Sequence, residues 1–285
     1  DALIVFIFED SDLKGSGLNI LPDALKKNLL TSIKLKVFTG KQESSQQLFS
    51  GYANIPQILA VGVGKKREMN SETLRRAAGK AGKILSSLKA KNIGFIVTPN
   101  LHKDSKTDIG QVIVEGLTLG SYNFNKYKES QDEKLKLDSI TIQCFDPENI
   151  TSRKALKTGK MRADSTNLAR DLGNMPANDL KPKDLASTAE NIAKQHKMSC
   201  TVLEEKQMKK LGMEMLLGVS RGSREPAKLI LMEYFHQKAK QTVALVGKGV
   251  TFDSGGISLK PGRNMDEMKF DMCGAAAVLG AMKII

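Results

Sequence analysis

Apolar runs and helical spacings alternate along the first half of the chain. Four strand-like apolar runs occupy residues 2–8, 55–63, 92–98 and 139–145. After the second run, apolar residues recur at the spacing of one helix face behind a cap at Asn70 or Ser71: Leu74, Ala77, Ala78, Ala81 and Leu85. A second helix face is formed by Ile109, Val112, Ile113, Gly116 and Leu117. Strands separated by helices of this length predict a mainly parallel sheet in an α/β domain.

The second half begins with turn and helix signals. Residues 146–149 have the composition of a turn and mark a predicted boundary. The basic segment 151–172 is predicted to be a connecting helix, and Pro182 suits the first turn of another. Apolar residues 229–235 and 242–246 predict two buried strands. We therefore expect an N-terminal α/β domain over residues 1–150, a linker helix over 151–172 and a second domain over 173–285.

Composition narrows the class of protein without giving a function. Hydrophobic residues make up 40% and charged residues 26%, as in ordinary globular proteins, and no apolar run approaches the roughly 18 residues of a membrane span. Three widely spaced cysteines indicate a reducing compartment, so we expect a cytoplasmic protein.

The net charge of +13 admits a nucleic-acid-binding protein as an alternative. Basic residues cluster in the predicted linker helix: Arg153, Lys154, Lys157, Lys160 and Arg162. Aromatic residues are only 5% of the chain and Trp is absent, so a base-stacking surface is poorly supplied. A solvated, lysine-rich surface is the favoured interpretation, with nucleic acid as a partner kept as the alternative.

Candidate chemistry is concentrated between Val246 and Gly274. Lys248 follows a predicted buried strand, where open α/β sheets hold their ligands, and burial of its ammonium would be costly. Asp253 precedes two glycines, and Asp271 lies between apolar residues, so both carboxylates are expected to face inward.

Two interpretations of these three residues remain open. One is a buried ion pair with a spare acid, which composition alone favours; the other is a metal site with carboxylate and neutral amine ligands. The three histidines, His102, His196 and His236, are dispersed, which argues against a histidine-rich zinc site. Any metal would therefore rest on oxygen and amine ligands.

The segment GKGVTFDSGGISLKPGRNMDEMKFDMCGAAAV, residues 247–278, closely resembles the signature of the cytosolic leucine aminopeptidase family. Weaker similarity covers residues 169–186, ARDLGNMPANDLKPKDLA. Residues 1–150 fit the smaller N-terminal α/β domain of that family in organisation. The resemblance implies a second, α/β metallopeptidase domain and an exopeptidase that releases N-terminal amino acids, preferentially leucine, from peptides.

The resemblance also implies roles for five residues that would together bind substrate. Lys248, Asp253 and Asp271 match metal ligands, with Asp253 bridging two divalent ions, either manganese or zinc. Lys260 matches the catalytic lysine that polarises the scissile carbonyl, and Met268 matches a wall of the side-chain pocket. Without the resemblance, Lys260 would be interpreted as a solvated loop lysine. The family further implies a cytoplasmic homo-hexamer with no membrane partner.

One part of the family's pattern is not found. The family takes an Asp, a Glu and a catalytic Arg from an Asn-Thr-Asp-Ala-Glu-Gly-Arg segment, which these 285 residues do not contain. We therefore expect a sequence truncated within the catalytic domain, with three of the five protein ligands and no activity by itself. An inactive scaffold is the corresponding alternative. Cys273 stands where the family pattern leads us to expect Gly.

Overall fold

The computed structural model describes residues 1–10, 21–88, 90–97, 101, 108–129, 139–144 and 152–285. The chain forms two compact units, Asp1–Asp164 and Ser165–Ile285. The division falls inside one helix, whereas the predicted turn at 146–149 lies outside the described residues. Within the described residues, no helix has both the length and the apolar character needed to cross a membrane.

Unit 1 is built on a five-stranded sheet. Its strands are β1 (Ala2–Phe8), β2 (Ser45–Phe49), β3 (Gln57–Gly64), β4 (Asn92–Val97) and β5 (Ser139–Cys144). They are arranged in the order β2-β3-β1-β4-β5, with β2 antiparallel to β3 and the other pairs parallel. The four predicted strands are confirmed with shifts at their ends, and so is the mainly parallel sheet. Edge strand β2 was not predicted.

Helices cover both faces of this sheet. Helix α1 (Asp23–Lys34) covers one face, and helices α2 (Ser71–Leu88) and α3 (Ile109–Gly120) cover the other, with a 3-10 turn at Lys66–Glu68. Helix α4 (Arg153–Asn174) follows along the chain and contains the boundary between the two units. Alternate side chains of β1 enter two cores, Ile4 and Phe6 on one face, Val5 and Ile7 on the other. Of the two predicted caps of α2, Asn70 is the one that acts, because its Oδ1 accepts the Thr73 backbone N–H at 3.0 Å.

Unit 2 contains shorter elements. They are α5 (Pro182–His196), β6 (Ser199–Leu203), α6 (Glu205–Lys210), α7 (Glu214–Ser220), β7 (Leu229–Glu233), a 3-10 segment at Met265–Met272 and α8 (Cys273–Ile284). Strands β6 and β7 pair antiparallel. The core joins α5 and α8 with the end of α4, and its buried members are Leu172, Leu180, Leu185, Ala189, Ile192, Met272, Ala276 and Leu279.

Two predictions for this unit need correction. Residues 242–246 do not form a buried strand: Val243 is 81% exposed and Val246 is 93% exposed. A strand needs a neighbour for its backbone groups, and no described strand pairs with this run. The predicted strand over 229–235 exists as β7, but it is only partly buried.

Candidate metal centre

Lys248 and Asp271 form an ion pair in unit 2. The distance between Lys248 Nζ and Asp271 Oδ1 is 2.9 Å. The Lys248 side chain is 59% exposed, so the prediction of a desolvated lysine at the end of a strand is wrong in both respects. Asp271 is only 20% exposed, which agrees with the inward orientation predicted for it.

Asp271 is held by the residue that follows it. Met272 is fully buried in the core of unit 2 and ends the 3-10 segment, so the Asp271 backbone is anchored in that core. The second carboxylate oxygen, Oδ2, is buried and has no hydrogen-bond partner among the described residues. Because a buried carboxylate oxygen without a partner is costly, this atom is available for a cation or a donor.

Asp253 and Lys260 close a loop beside this pair. Lys260 Nζ lies 3.1 Å from Asp253 Oδ2, and the Lys260 backbone N–H donates to the Ser254 carbonyl at 2.9 Å. The Gly255 N–H donates to Asp253 Oδ1 at 2.9 Å. Gly255 has a φ of +94°, which favours glycine, and a Cβ there would lie 2.4 Å from the Ser258 carbonyl oxygen. The loop thus presents the Asp253 carboxylate in a fixed position.

The charges around Asp253 favour its ionised form. The Gly255 N–H contributes most to holding the pKa of the Asp253 carboxyl below its ordinary value, followed by the hydrogen bond from Lys260. Lys248 adds a weaker attraction that also lowers the pKa of Asp253, so the two ion pairs interact electrostatically. Asp253 is therefore present as the carboxylate, the form that binds cations.

Met268 and Cys273 flank Asp271 along the chain. Met268 is partly buried and lies on the same 3-10 segment, one turn before Asp271. Cys273 begins α8, is exposed and is not in a disulfide. A Cβ on Gly173 would lie 3.1 Å from Cys273 Sγ, so the thiol lies against the end of α4.

The side chains at this site provide some of the oxygen ligands that a hard divalent cation requires. Carboxylate oxygens suit such ions, and the unpartnered Asp271 Oδ2 is an oxygen donor of this type. No three His, Cys, Asp or Glu side chains come together within the described residues, so carboxylates supply only two residues here. The buried Asp271 Oδ2 without a partner is compatible with the metal interpretation.

The structure therefore brings together four of the five predicted site residues: Lys248, Asp253, Lys260 and Asp271. Sequence reasoning missed the backbone that holds Lys248. Its carbonyl accepts the Ala275 N–H at 2.8 Å, in the first turn of α8. The glycines at 247 and 274 were the available signal, because paired glycines often mark a close backbone approach.

Comparison with known proteins relates this arrangement to one family. The model of the N-terminal domain of the cytosol aminopeptidase family matches residues 4–131, and the model of its catalytic domain matches residues 167–285. A probable cytosol aminopeptidase of Alkaliphilus oremlandii is 37% identical over 289 residues, covering 100% of this chain and 58% of the relative. A probable cytosol aminopeptidase of Nitrosospira multiformis is 43% identical over 237 residues, covering 80% of this chain and 46% of the relative. The chain thus spans about half the length of the curated relatives it matches.

Solved structures agree with this relationship. A mutant of tomato leucine aminopeptidase matches with a TM-score of 0.79 and 28% identity, covering 100% of this chain and 56% of that one. The bottromycin maturation enzyme BotP in complex with Mn matches with a TM-score of 0.78 and 26% identity, covering 100% and 55%. The resemblance found in the sequence is confirmed: two domain models of one family match in succession, and the chain belongs to the cytosol aminopeptidase family.

Proposed function

We propose that this protein is a metal-dependent aminopeptidase that releases N-terminal residues from peptides, with a preference for leucine. The observation that carries the proposal is the cluster of two carboxylates and two lysines, in which one buried Asp271 oxygen lacks a partner. Family membership supports the reaction class. The names of two structural relatives, a leucine aminopeptidase and an enzyme in complex with Mn, support the preferred residue and the metal.

Lys248, Asp253 and Asp271 would hold the cations, two per full-length subunit and either manganese or zinc. A pair of bound divalent cations supplies Lewis acidity and lowers the pKa of a water molecule. Asp253 suits the bridging position because its pKa is lowered and its carboxylate is fixed by the Gly255 N–H. Asp271 offers its unpartnered Oδ2, and Lys248 lies within contact distance of the same carboxylate.

Lys260 would stabilise the negative charge that develops on the scissile carbonyl oxygen. The Lys260 ammonium has three N–H donors, and its contact with Asp253 uses one of them. The side chain is only partly buried. A positioned donor of this kind is worth about 3 kcal/mol in comparable sites. The loop bond between Lys260 and Ser254 fixes the backbone from which the side chain extends.

Met268 would form a wall of the pocket for the first substrate side chain. It is partly buried and lies three residues before Asp271 on one 3-10 segment, whose end is anchored by Met272. A flexible, polarizable thioether packs well against branched aliphatic groups. This is the basis for expecting leucine and similar residues to be preferred.

We also propose that the enzyme acts in the cytoplasm as a homo-hexamer. The family name supports the location. The hexamer follows from the family resemblance, and sedimentation of the full-length protein would measure it.

The proposal is tested by hydrolysis of leucyl p-nitroanilide by the full-length protein. We expect activity that EDTA abolishes and that Mn²⁺ or Zn²⁺ restores, with alanyl and glutamyl anilides cleaved more slowly. The same assay is run on the Asp271→Asn variant, which keeps the shape of the side chain but removes the charge of a proposed metal ligand. Activity that persists after complete metal removal would overturn the proposal.

Residues 1–285 alone are proposed to be inactive. Their described part brings only two carboxylates to the cluster, while the hydrolysis needs a pair of cations. The test is the same assay on a polypeptide of these residues with saturating Mn²⁺ or Zn²⁺. Chelator-sensitive activity in that polypeptide would mean that another acid within it completes the site.

A further inference from the structure

The backbone of Gly247 crosses the start of α8 with no room for a side chain. A Cβ on Gly247 would lie 2.5 Å from the Gly274 carbonyl oxygen and 2.7 Å from the Ala275 Cα. A Cβ on Gly274 would lie 2.9 Å from the Lys248 backbone nitrogen. All of these neighbours are backbone atoms, which cannot rotate away as the end of a side chain can. We call this contact between Gly247 and Gly274 the glycine crossing.

A hydrogen bond fixes the same two segments. Helix α8 has no side-chain cap, and the Ala275 N–H in its first turn donates instead to the Lys248 carbonyl at 2.8 Å. The first N–H groups of a helix need such external acceptors. The Lys248 backbone is therefore attached to the helix that begins two residues after Asp271.

The crossing connects two residues that are far apart in sequence. Lys248 Nζ reaches Asp271 Oδ1 at 2.9 Å although the Lys248 side chain is mostly exposed. An exposed lysine has several rotamers, so the side chain alone holds this distance weakly. The position of the Lys248 backbone, set by the glycine crossing and the Ala275 hydrogen bond, limits how far the amine can move from the carboxylate.

We propose that Gly247 and Gly274 are positioning residues that hold Lys248 against Asp271 before a cation binds. This inference rests on the proposed function, since it takes Lys248 and Asp271 as metal ligands. Because Gly247 and Gly274 have no side chains, their backbones can approach closely, and this keeps the Lys248 amine next to the Asp271 carboxylate. Moving either backbone to make room for a Cβ separates the ligands without changing the ligand side chains.

The test uses Gly274→Ala and Gly247→Ala in the full-length protein, with Gly262→Ala as the matched control. Gly262 lies in the same loop region, and a Cβ there would meet nothing within 4 Å. Binding of Mn²⁺ is measured by electron paramagnetic resonance, which detects the free ion, and melting of the metal-free protein is measured by circular dichroism.

We expect a graded loss of Mn²⁺ affinity. Gly274→Ala should weaken binding about 10-fold and Gly247→Ala about 100-fold, the range found when residues behind metal ligands are changed. Gly262→Ala should bind as the unaltered protein does. Because Ala favours a helix more than Gly does, which offsets part of the cost of moving the Lys248 backbone, Gly274→Ala should lower the melting temperature only slightly. Weaker binding with little loss of stability separates positioning from general damage to the fold.

Several results would overturn the inference. They are unaltered Mn²⁺ affinity in Gly274→Ala, an equal loss in Gly262→Ala, and a loss accompanied by a matching fall in the melting temperature. If Gly247→Ala does not fold, Gly274→Ala decides alone. Asp271→Asn serves as the reference: if it binds Mn²⁺ normally, the ligand assignment itself fails. If it loses Mn²⁺ while Gly274→Ala does not, only the positioning role fails.

Discussion

Apolar runs of similar composition have opposite environments in the two units. In unit 1, β1 and β4 lie inside the sheet, and Ile4 and Phe95 are fully buried. In unit 2, residues 242–246 are equally apolar, yet Val243 and Val246 are almost fully exposed. The difference lies in the neighbours, because β1 has a parallel partner on each side and no described strand pairs with the run in unit 2.

Charged residues show a second contrast between the units. In unit 1, buried Glu115 is fully engaged: Arg75 Nε donates to it at 2.9 Å, Gln111 Nε2 also at 2.9 Å, and Arg162 lies 3.5 Å away. In unit 2, Asp271 has one lysine partner and one buried oxygen with none. A satisfied network is typical of structure, whereas a buried carboxylate oxygen without a partner is a candidate ligand atom.

The largest effect is expected from emptying the core of unit 1. Phe95→Ala should lower the free energy of unfolding by about 3–5 kcal/mol, because it removes a buried ring that stacks on Phe6 at 5.8 Å. Denaturant titration followed by circular dichroism measures the loss. A change below about 1 kcal/mol would contradict the tight core described for this unit.

Lys260→Ala should act on catalysis alone. Turnover of leucyl p-nitroanilide should fall about 100-fold or more, the scale of losing one oxyanion stabiliser, while bound metal is unchanged. Steady-state kinetics and metal content by mass spectrometry are measured on the same full-length sample. Loss of metal together with activity would mean that Lys260 supports the metal site, directly or through Asp253, and unaltered activity would make it a solvated loop lysine.

Lys248→Arg should weaken metal binding about 10–100-fold, close to the range for disturbed metal sites. A guanidinium stays charged and has no lone pair for a cation, although it can still pair with Asp271. Metal titration of the full-length protein gives the affinity. Arg75→Lys is the matched control in unit 1, since it changes an ion pair to Glu115 and should leave metal affinity unaltered.

The smallest effect is expected from the exposed run. In a polypeptide of residues 1–285, Val246→Ser should change the free energy of unfolding by no more than about 0.5 kcal/mol, as for other exposed positions. Denaturant titration measures this beside Val61→Ser, a buried position of β3 that should cost far more. A loss above about 1 kcal/mol at Val246 would mean that the run is covered in solution.

Long, strongly patterned segments were predictable because the pattern itself fixes the element. Helix α2 followed from its apolar spacing and the Asn70 cap, and α3 from a single apolar face. Helix α1, although 12 residues long, was not predicted. Two short strands were also missed: β2 contains two glutamines and two exposed residues, and β6 follows α5 after only two residues. Short strands are formed by pairing with a neighbouring strand, which local composition does not encode.

The sequence by itself determined the family, the α/β class of unit 1 and the residues that carry the candidate chemistry, because spacing and residue type persist in any conformation. Only the tertiary structure decided which charges pair, which Asp271 oxygen remains unsatisfied and how Lys248 is attached to α8. It also decided that the apolar run at 242–246 is exposed. These properties depend on contacts between residues distant in sequence, because the burial and the hydrogen bonds of a residue are determined by the residues that surround it in the fold.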